Sequence, residues 1–239
     1  MTASAESPAP PLALITGASR GLGAALAEAL ATQGWHIVAV ARTVGALEEL
    51  DDRIRAAGGT ATLAPIDITQ DDALRHLCRS IHDRWGRLDL WAHAAVHAPP
   101  LSPAGHVAIK DLDRALAVTL RATGVMIPMV EPLLRAANMG SALFFDDPTM
   151  HDADGRVRKF WGAWGAAKAG QMALAQAWAE ECAALGPTRA PRVVMATPAP
   201  MPTATRARFF PGESRDSLAR PADEARRILT EMALIPQAG

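Results

Sequence analysis

The sequence predicts one doubly wound α/β domain, a parallel sheet of about six strands with helices on both faces. Three observations carry this expectation. Short apolar runs alternate strictly with longer amphipathic stretches, and such alternation builds right-handed βαβ crossovers that leave helices covering a parallel sheet. The chain has 239 residues, enough for one fully buried sheet. The first apolar run ends in a glycine-rich turn that leads directly into a helical pattern.

Taken in order, residues 1–11 are rich in Ala, Ser and Pro without periodicity and read as a flexible N-terminal tail, with the domain covering 12–239. The strands are expected at 12–16 (LALIT), 36–41 (HIVAVA), 60–66 (TATLAPI), 88–94 (LDLWAHA), 141–145 (SALFF) and 192–197 (RVVMAT). Helical patterns lie near 21–33, 43–57, 70–85, 108–136, 160–185 and 221–234. From Pro198 through Ser217 proline interrupts both periodicities, so this stretch is expected as a loop, and a loop of that length usually has a function. No seventh strand is visible before Gly239.

Composition narrows the function classes. Hydrophobic residues make up 49% and charged residues 21%, the balance of a folded globular chain. With 24 basic and 25 acidic residues the formal net charge is -1, which gives no electrostatic footprint for nucleic acid or an anionic membrane. Cys78 and Cys182 lie far apart on helical patterns, so neither a metal cluster nor a disulfide framework is expected. The start MTASAESPAPP lacks a basic region followed by an apolar one, and no later run approaches roughly 18 uninterrupted apolar residues. A cytoplasmic location is expected.

Thr16, Gly17, Ala18, Ser19, Arg20, Gly21, Leu22 and Gly23 join the first strand to the first helix. In that context glycines allow close backbone approach, and the helix N-terminus offers amides to a pyrophosphate, the arrangement of a Rossmann-type dinucleotide site. The second strand ends Ala41, Arg42, Thr43. An acid there would hold a ribose 2'-hydroxyl and repel a 2'-phosphate, whereas Arg42, with Arg20, offers positive charge to one. The expected cofactor is NADP(H).

The segment TGASRGLG, with its GxxxGxG spacing, resembles the short-chain dehydrogenase/reductase family, and the likeness runs along almost the whole chain. Asp67 with Ile68 resembles the family's adenine-contacting Asp. His93, Ala94, Ala95 and Val96 stand where the family has NNAG, and WGAAKAG, 164–170, resembles its YxxxK segment. TPAPMPT, 197–203, resembles its loop ending in a Thr that contacts the nicotinamide amide. The resemblance implies cofactor contacts at Gly17, Ser19, Arg20, Gly21, Leu22, Gly23, Arg42, Asp67, Ile68, Ala94, Lys168, Pro198 and Thr203.

In that family an Asn, a Ser, a Tyr and a Lys cooperate: the Tyr donates a proton, the Lys lowers its pKa and holds the nicotinamide ribose, and the Ser orients the carbonyl. Here Lys168 matches the Lys. Trp164 stands in the Tyr position, Asp147 in the Ser position and Thr119 near the Asn, and the chain has no tyrosine at all. An indole N–H donates a hydrogen bond but cannot be transferred as an acid. Bland readings stand beside these: Trp164 as core, Asp146 and Asp147 as turn residues before Pro148, and His93 and His151 as structural histidines.

Two functions follow. One is an NADP(H)-dependent oxidoreductase with rearranged acid–base groups, acting on a C=N bond or another atypical small-molecule substrate. The other is a catalytically inactive NADP(H)-binding sensor or partner-binding protein. A homodimer is expected through the patterns at 108–136 and 160–185, whose apolar faces exceed what one sheet covers.

Overall fold

The computed structural model describes residues 9–236. Its order is β1 (Leu12–Thr16), α1 (Gly21–Ala31), β2 (His36–Ala41), α2 (Val44–Ala56), β3 (Thr60–Pro65), α3 (Asp71–Trp85), β4 (Leu90–His93), α4 (Ile109–Ala115), α5 (Ala122–Arg135), β5 (Ser141–Phe145), α6 (Gly162–Leu185), β6 (Arg192–Ala196), α7 (Ala204–Phe209) and α8 (Pro221–Glu231). The six strands are parallel, in the order β3-β2-β1-β4-β5-β6. β1 and β5 are buried at every residue, as strands covered on both faces must be, and for that reason they read as continuous apolar runs.

Alternate side chains of each strand feed two cores. Leu12, Leu14, Val38, Trp91 and Phe144 point to the side covered by α3, α5 and α6. Ala13, Ile15, Ile37, Ala39 and Leu143 point to the side covered by α1, α2 and α8. Trp91 anchors the first core edge-on to Phe144, with ring centroids 5.2 Å apart. Fully burying each such aliphatic or aromatic side chain contributes about 1.5–3 kcal/mol.

The chain travels outward from β1 to β3, then returns to lay β4 on the other side of β1. That reversal leaves a crevice beyond the carboxyl ends of β1 and β4, where open α/β sheets bind ligands. The strand ends meet there: Thr16 lies beside Val40 of β2 and His93 of β4.

Several elements depart from expectation. Residues 9–11 of the expected tail are held in place: Arg87 donates to the carbonyls of Ala9 and Pro10 at 3.2 Å, and His36 N–H donates to Pro11 at 2.9 Å. The remainder of that tail lies outside the described residues. The run 88–94 is strand only over Leu90–His93. The expected loop after Pro198 contains helix α7, because the Thr203 hydroxyl caps it by accepting from Arg206 N–H and Phe209 buries itself beneath two tryptophans.

Helices α4 and α5 are joined through a π-helical segment, Leu116–Arg121, into one continuous 27-residue run. By length and composition that run could cross a bilayer. In the structure it covers the sheet instead, with Ala122, Met126, Val130 and Leu134 fully buried in the core.

Candidate active site

A cavity of about 510 Å³ occupies the crevice. The glycine turn, the ends of β2 to β5, the middle of α6 and the 198–206 segment all line it. Every expected cofactor residue faces this space, from Gly17, Ser19, Arg20, Gly21, Leu22 and Gly23 through Arg42, Asp67, Ile68 and Ala94 to Lys168, Pro198 and Thr203. Asp147 and Trp164 face it too.

Thr119 does not. It is fully buried behind the lining residue Val118, where its hydroxyl accepts from His97 N–H at 3.4 Å and its carbonyl accepts from the Thr123 hydroxyl at 2.8 Å. Thr119 lies in the π-helical segment, whose residues do not keep the faces that a regular α-helix would give them.

The nucleotide end has the form of an anion cradle. Gly17 and Ala18 N–H donate to Val40 at 2.9 and 3.1 Å, which pins the turn to β2. A Cβ on Gly23 would lie 2.4 Å from the Gly17 carbonyl, so the turn closes on the first turn of α1 only because no side chain intervenes. No side chain caps α1. Its first N–H groups, which every helix leaves without internal partners, are left to face the cavity, and this fits the diphosphate of a dinucleotide. Arg20 and Arg42 are exposed at the rim, with no carboxylate in ion-pair range among the described residues.

Farther along the same rim, Asp67 accepts from Thr69 N–H at 3.0 Å, from the Thr69 hydroxyl at 2.8 Å and from Arg114 at 2.8 Å. Against the opposing cost of burial, these donors hold its carboxyl down at about 2. Arg114 escaped the sequence reading.

At the other end the polar groups satisfy one another. The Asp147 carboxylate accepts from the Trp164 indole N–H at 2.8 Å, from Thr149 N–H at 3.1 Å and from the Thr149 hydroxyl. Lys168 is buried, and its ammonium donates to the Phe145 carbonyl and to Gln171 Oε1, the latter at 2.7 Å. Burial pushes its pKa down to about 8, with Asp147 and Asp146 pulling the other way. Gln171 passes the network on by donating to the Thr123 hydroxyl at 3.0 Å. Gln171 was also missed, although its polar side chain three residues after Lys168 shares that residue's helix face.

His93 lies buried at the floor of the cavity. Its Nδ1 is 2.8 Å from the Thr16 hydroxyl and its Nε2 has no partner among the described residues. Burial first, and then the charge of Lys168, push its pKa down to about 3, so the ring is neutral. His151 lies outside the cavity lining and pairs with Val157 in an isolated β-bridge. Among the described residues no group of three or more His, Cys, Asp or Glu could hold a metal ion.

Helix α7 lines the Trp164 end of the cavity. Phe209 packs against Trp161 and Trp164, with ring centroids 4.6 and 5.4 Å apart. Arg206 lies 4.0 Å over the Phe210 ring and pairs with Glu213 at 2.6 Å, while Arg208 donates to the Ala98 carbonyl.

A doubly wound sheet, a glycine turn at the reversal of strand order and a lysine facing the same crevice define a nucleotide-binding protein of the dehydrogenase type. The chain belongs to the short-chain dehydrogenase family, whose model matches residues 11–214. Among curated relatives, mouse dehydrogenase/reductase SDR family member 11 is 38% identical over 91 residues, 37% of this chain and 35% of the relative. D-threitol dehydrogenase of Mycolicibacterium smegmatis is 30% identical over 130 residues, 54% of this chain and 50% of the relative. These matches span about a third to a half of the relatives' length. A 3-ketoacyl-ACP reductase from Sinorhizobium meliloti superposes with TM-score 0.76 at 27% identity, covering 91% of this chain and 90% of its own. A metagenomic short-chain oxidoreductase in complex with NADP gives 0.73 at 26% identity, covering 97% and 93%. A short chain dehydrogenase from Escherichia coli complexed with NADPH gives 0.80 at 25% identity, covering 93% and 88%.

Proposed function

We propose that this chain is an NADP(H)-dependent oxidoreductase whose substrate already carries positive charge at the reacting bond, such as an iminium. The first-turn amides of α1 and the glycine turn would hold the diphosphate, Arg20 and Arg42 the 2'-phosphate, and Lys168 the nicotinamide ribose. Pro198 and Thr203 would meet the nicotinamide amide, and Asp67, Ile68 and Ala94 the adenine. Bound NADPH supplies a hydride. Similarity to structures solved with NADP and NADPH supports the choice of cofactor.

The observation that carries the substrate reading is the Trp164–Asp147 hydrogen bond. A ketone needs a proton as its oxygen becomes an alkoxide, and losing that acid costs ~10²- to 10⁴-fold, or roughly 3–5 kcal/mol of barrier. At position 164 the only donor is an indole N–H, and Asp147 occupies it. An iminium needs no proton: hydride adds to carbon, the C=N π pair moves onto nitrogen, and a neutral amine results. The Asp147 carboxylate stabilises the cation before transfer. Phe209 and Phe210 offer the substrate an apolar wall.

A panel of cyclic iminium salts and simple ketones tests this through NADPH oxidation. Turnover confined to the cations is the expected outcome, and equal rates on ketones would overturn it. A second reading, a non-catalytic NADP(H) sensor, is favoured by the tethering of Lys168 to Phe145 and Gln171. Tight NADPH binding with no oxidation across the panel would select it. We also propose a homodimer through α4, α5 and α6, where Ile109, Leu174 and Leu185 expose apolar side chains. A monomer at micromolar concentration in sedimentation would rule that out.

A further inference from the structure

Two opposite charges line the Trp164 end of the cavity without pairing: Asp147 and Arg206 both face it, yet no ion pair joins them. Arg206 belongs to α7, where its backbone N–H donates to the capping Thr203 hydroxyl at 3.2 Å. Its Nε and Nη2 donate to the two Glu213 oxygens at 2.7 and 2.6 Å, and its guanidinium lies 4.0 Å over the Phe210 ring. The side chain is only 17% exposed, so cap, carboxylate and ring hold it in one orientation. Glu213 is 28% exposed, and an ion pair at such exposure adds little to stability.

A guanidinium has five N–H donors in a planar fork, and Glu213 takes two on the Nε edge. The Nη1–Nη2 edge keeps two parallel donors with no partner among the described residues, and such a pair matches the two oxygens of a carboxylate. The hydrogen bond to Glu213, against the cost of burial, raises the Arg206 pKa, and the charge of Asp147 raises it further. Asp147 therefore lies within reach of the Arg206 field but outside pairing distance.

A carboxylate and a guanidinium held apart in one cavity suit a molecule that carries both charges. A plain cation meets a like charge at Arg206, and a plain anion meets one at Asp147. This argument rests on the C=N reading above, which sets the cationic bond beside Asp147. We propose that the substrate is a small iminium that also bears a carboxylate, and that Arg206 receives this carboxylate on its free edge. The carboxylate takes no part in hydride transfer; it orients the molecule, and Arg206 determines specificity by receiving it.

The test compares 1-pyrroline-2-carboxylate with 2-methyl-1-pyrroline, its counterpart without the carboxylate, as substrates with NADPH. The unmodified protein is expected to favour the carboxylate by about 10- to 100-fold in kcat/KM, the range for a hydrogen bond between charged groups. Arg206→Gln should shrink that ratio to about threefold or less, chiefly by raising KM for the carboxylate, and Arg206→Lys should restore part of it. Equal kcat/KM for the two rings in the unmodified protein overturns the inference without any variant and leaves the C=N reading standing. So does Arg206→Gln slowing both rings by the same factor, with thermal unfolding showing the variant folded. An equal loss of NADPH affinity in that variant, measured by calorimetric titration, also overturns it by giving the charge to the cofactor. If neither ring is reduced, the C=N reading fails, and titration of the NADP-bound protein with proline and pyrrolidine, which differ by the same carboxylate, decides. A tenfold preference for proline keeps the Arg206 assignment, and equal or undetected binding overturns it.

Discussion

The two ends of the crevice treat their polar groups in opposite ways. At the glycine turn, the first amides of α1 lack a capping side chain, and Arg20 and Arg42 face the cavity without a carboxylate partner among the described residues. At the end of β5, Asp147, Trp164, Thr149, Lys168 and Gln171 satisfy one another. Unspent groups mark where a charged ligand repays their desolvation, and spent groups mark chemistry that has been closed off or redirected. On the reading proposed above, one family scaffold keeps its nucleotide cradle while its acid–base apparatus is rebuilt, because different strands carry the two.

The largest expected effect would break the contrast by reopening the reacting end. Trp164→Tyr alone should add little ketone reduction, because the new phenol would donate to Asp147 just as the indole does. Joined with Asp147→Ser, it should raise kcat/KM on activated ketones by about 10²- to 10⁴-fold, the usual worth of a general acid. A single variant as active as the double would show that Asp147 does not hold the donor back.

Gly23→Ala attacks the other end. Its Cβ would sit 2.4 Å from the Gly17 carbonyl, so the turn must shift. NADPH affinity should fall by about 100-fold, with a stability loss of roughly 1–3 kcal/mol. Normal binding in a titration would detach the nucleotide from this turn. Arg42→Asp sharpens the same comparison, since it removes positive charge and adds an acceptor for a free 2'-hydroxyl. It should lose about 10- to 100-fold in preference for NADPH over NADH. Tighter NADH than NADPH binding by the unmodified protein would contradict the reading from the start.

The smallest effect is a pH dependence at Lys168. Its folded pKa, about 8, lies below the ordinary lysine value of 10.5, so between these values the unfolded chain binds more protons. From this group stability should therefore rise with pH through that window, by roughly 3 kcal/mol in all, while below it the burial penalty stays in full. The chain has no tyrosine, but burial pushes the Cys78 thiol from 9.0 up to about 11, so above pH 9 the unfolded chain loses that proton first and this thiol works against the rise. Denaturant unfolding from pH 7.5 to 9, below the range where Cys78 opposes it, should show the rise, and Lys168→Met should remove it.

The strands and the glycine turn were legible in the sequence because their signals are local. A buried parallel strand is a run of apolar residues, and a phosphate turn needs glycine where backbones nearly touch. Arg114 was not legible, since it finds Asp67 47 residues away through packing of whole helices, and for Gln171 the spacing from Lys168 gives a shared helix face but not the link to Thr123, 48 residues away. Thr119 was placed by resemblance to the family's Asn, and it lies in a π-helical segment whose residues do not keep the faces of a regular α-helix. Helix α7 was hidden by the prolines around it, and only the tryptophans that receive Phe209 make it worth forming.

That last point reaches beyond architecture. A helix of six residues has no stability of its own in water, so α7 keeps its shape only while Phe209 stays seated between Trp161 and Trp164. Phe209 also lines the cavity, so a reactant held at this end would lie against the same stack. The tempo of a working cycle would then depend on how often three aromatic rings separate, so softening that stack could speed turnover even as it loosens the grip on what lies against it.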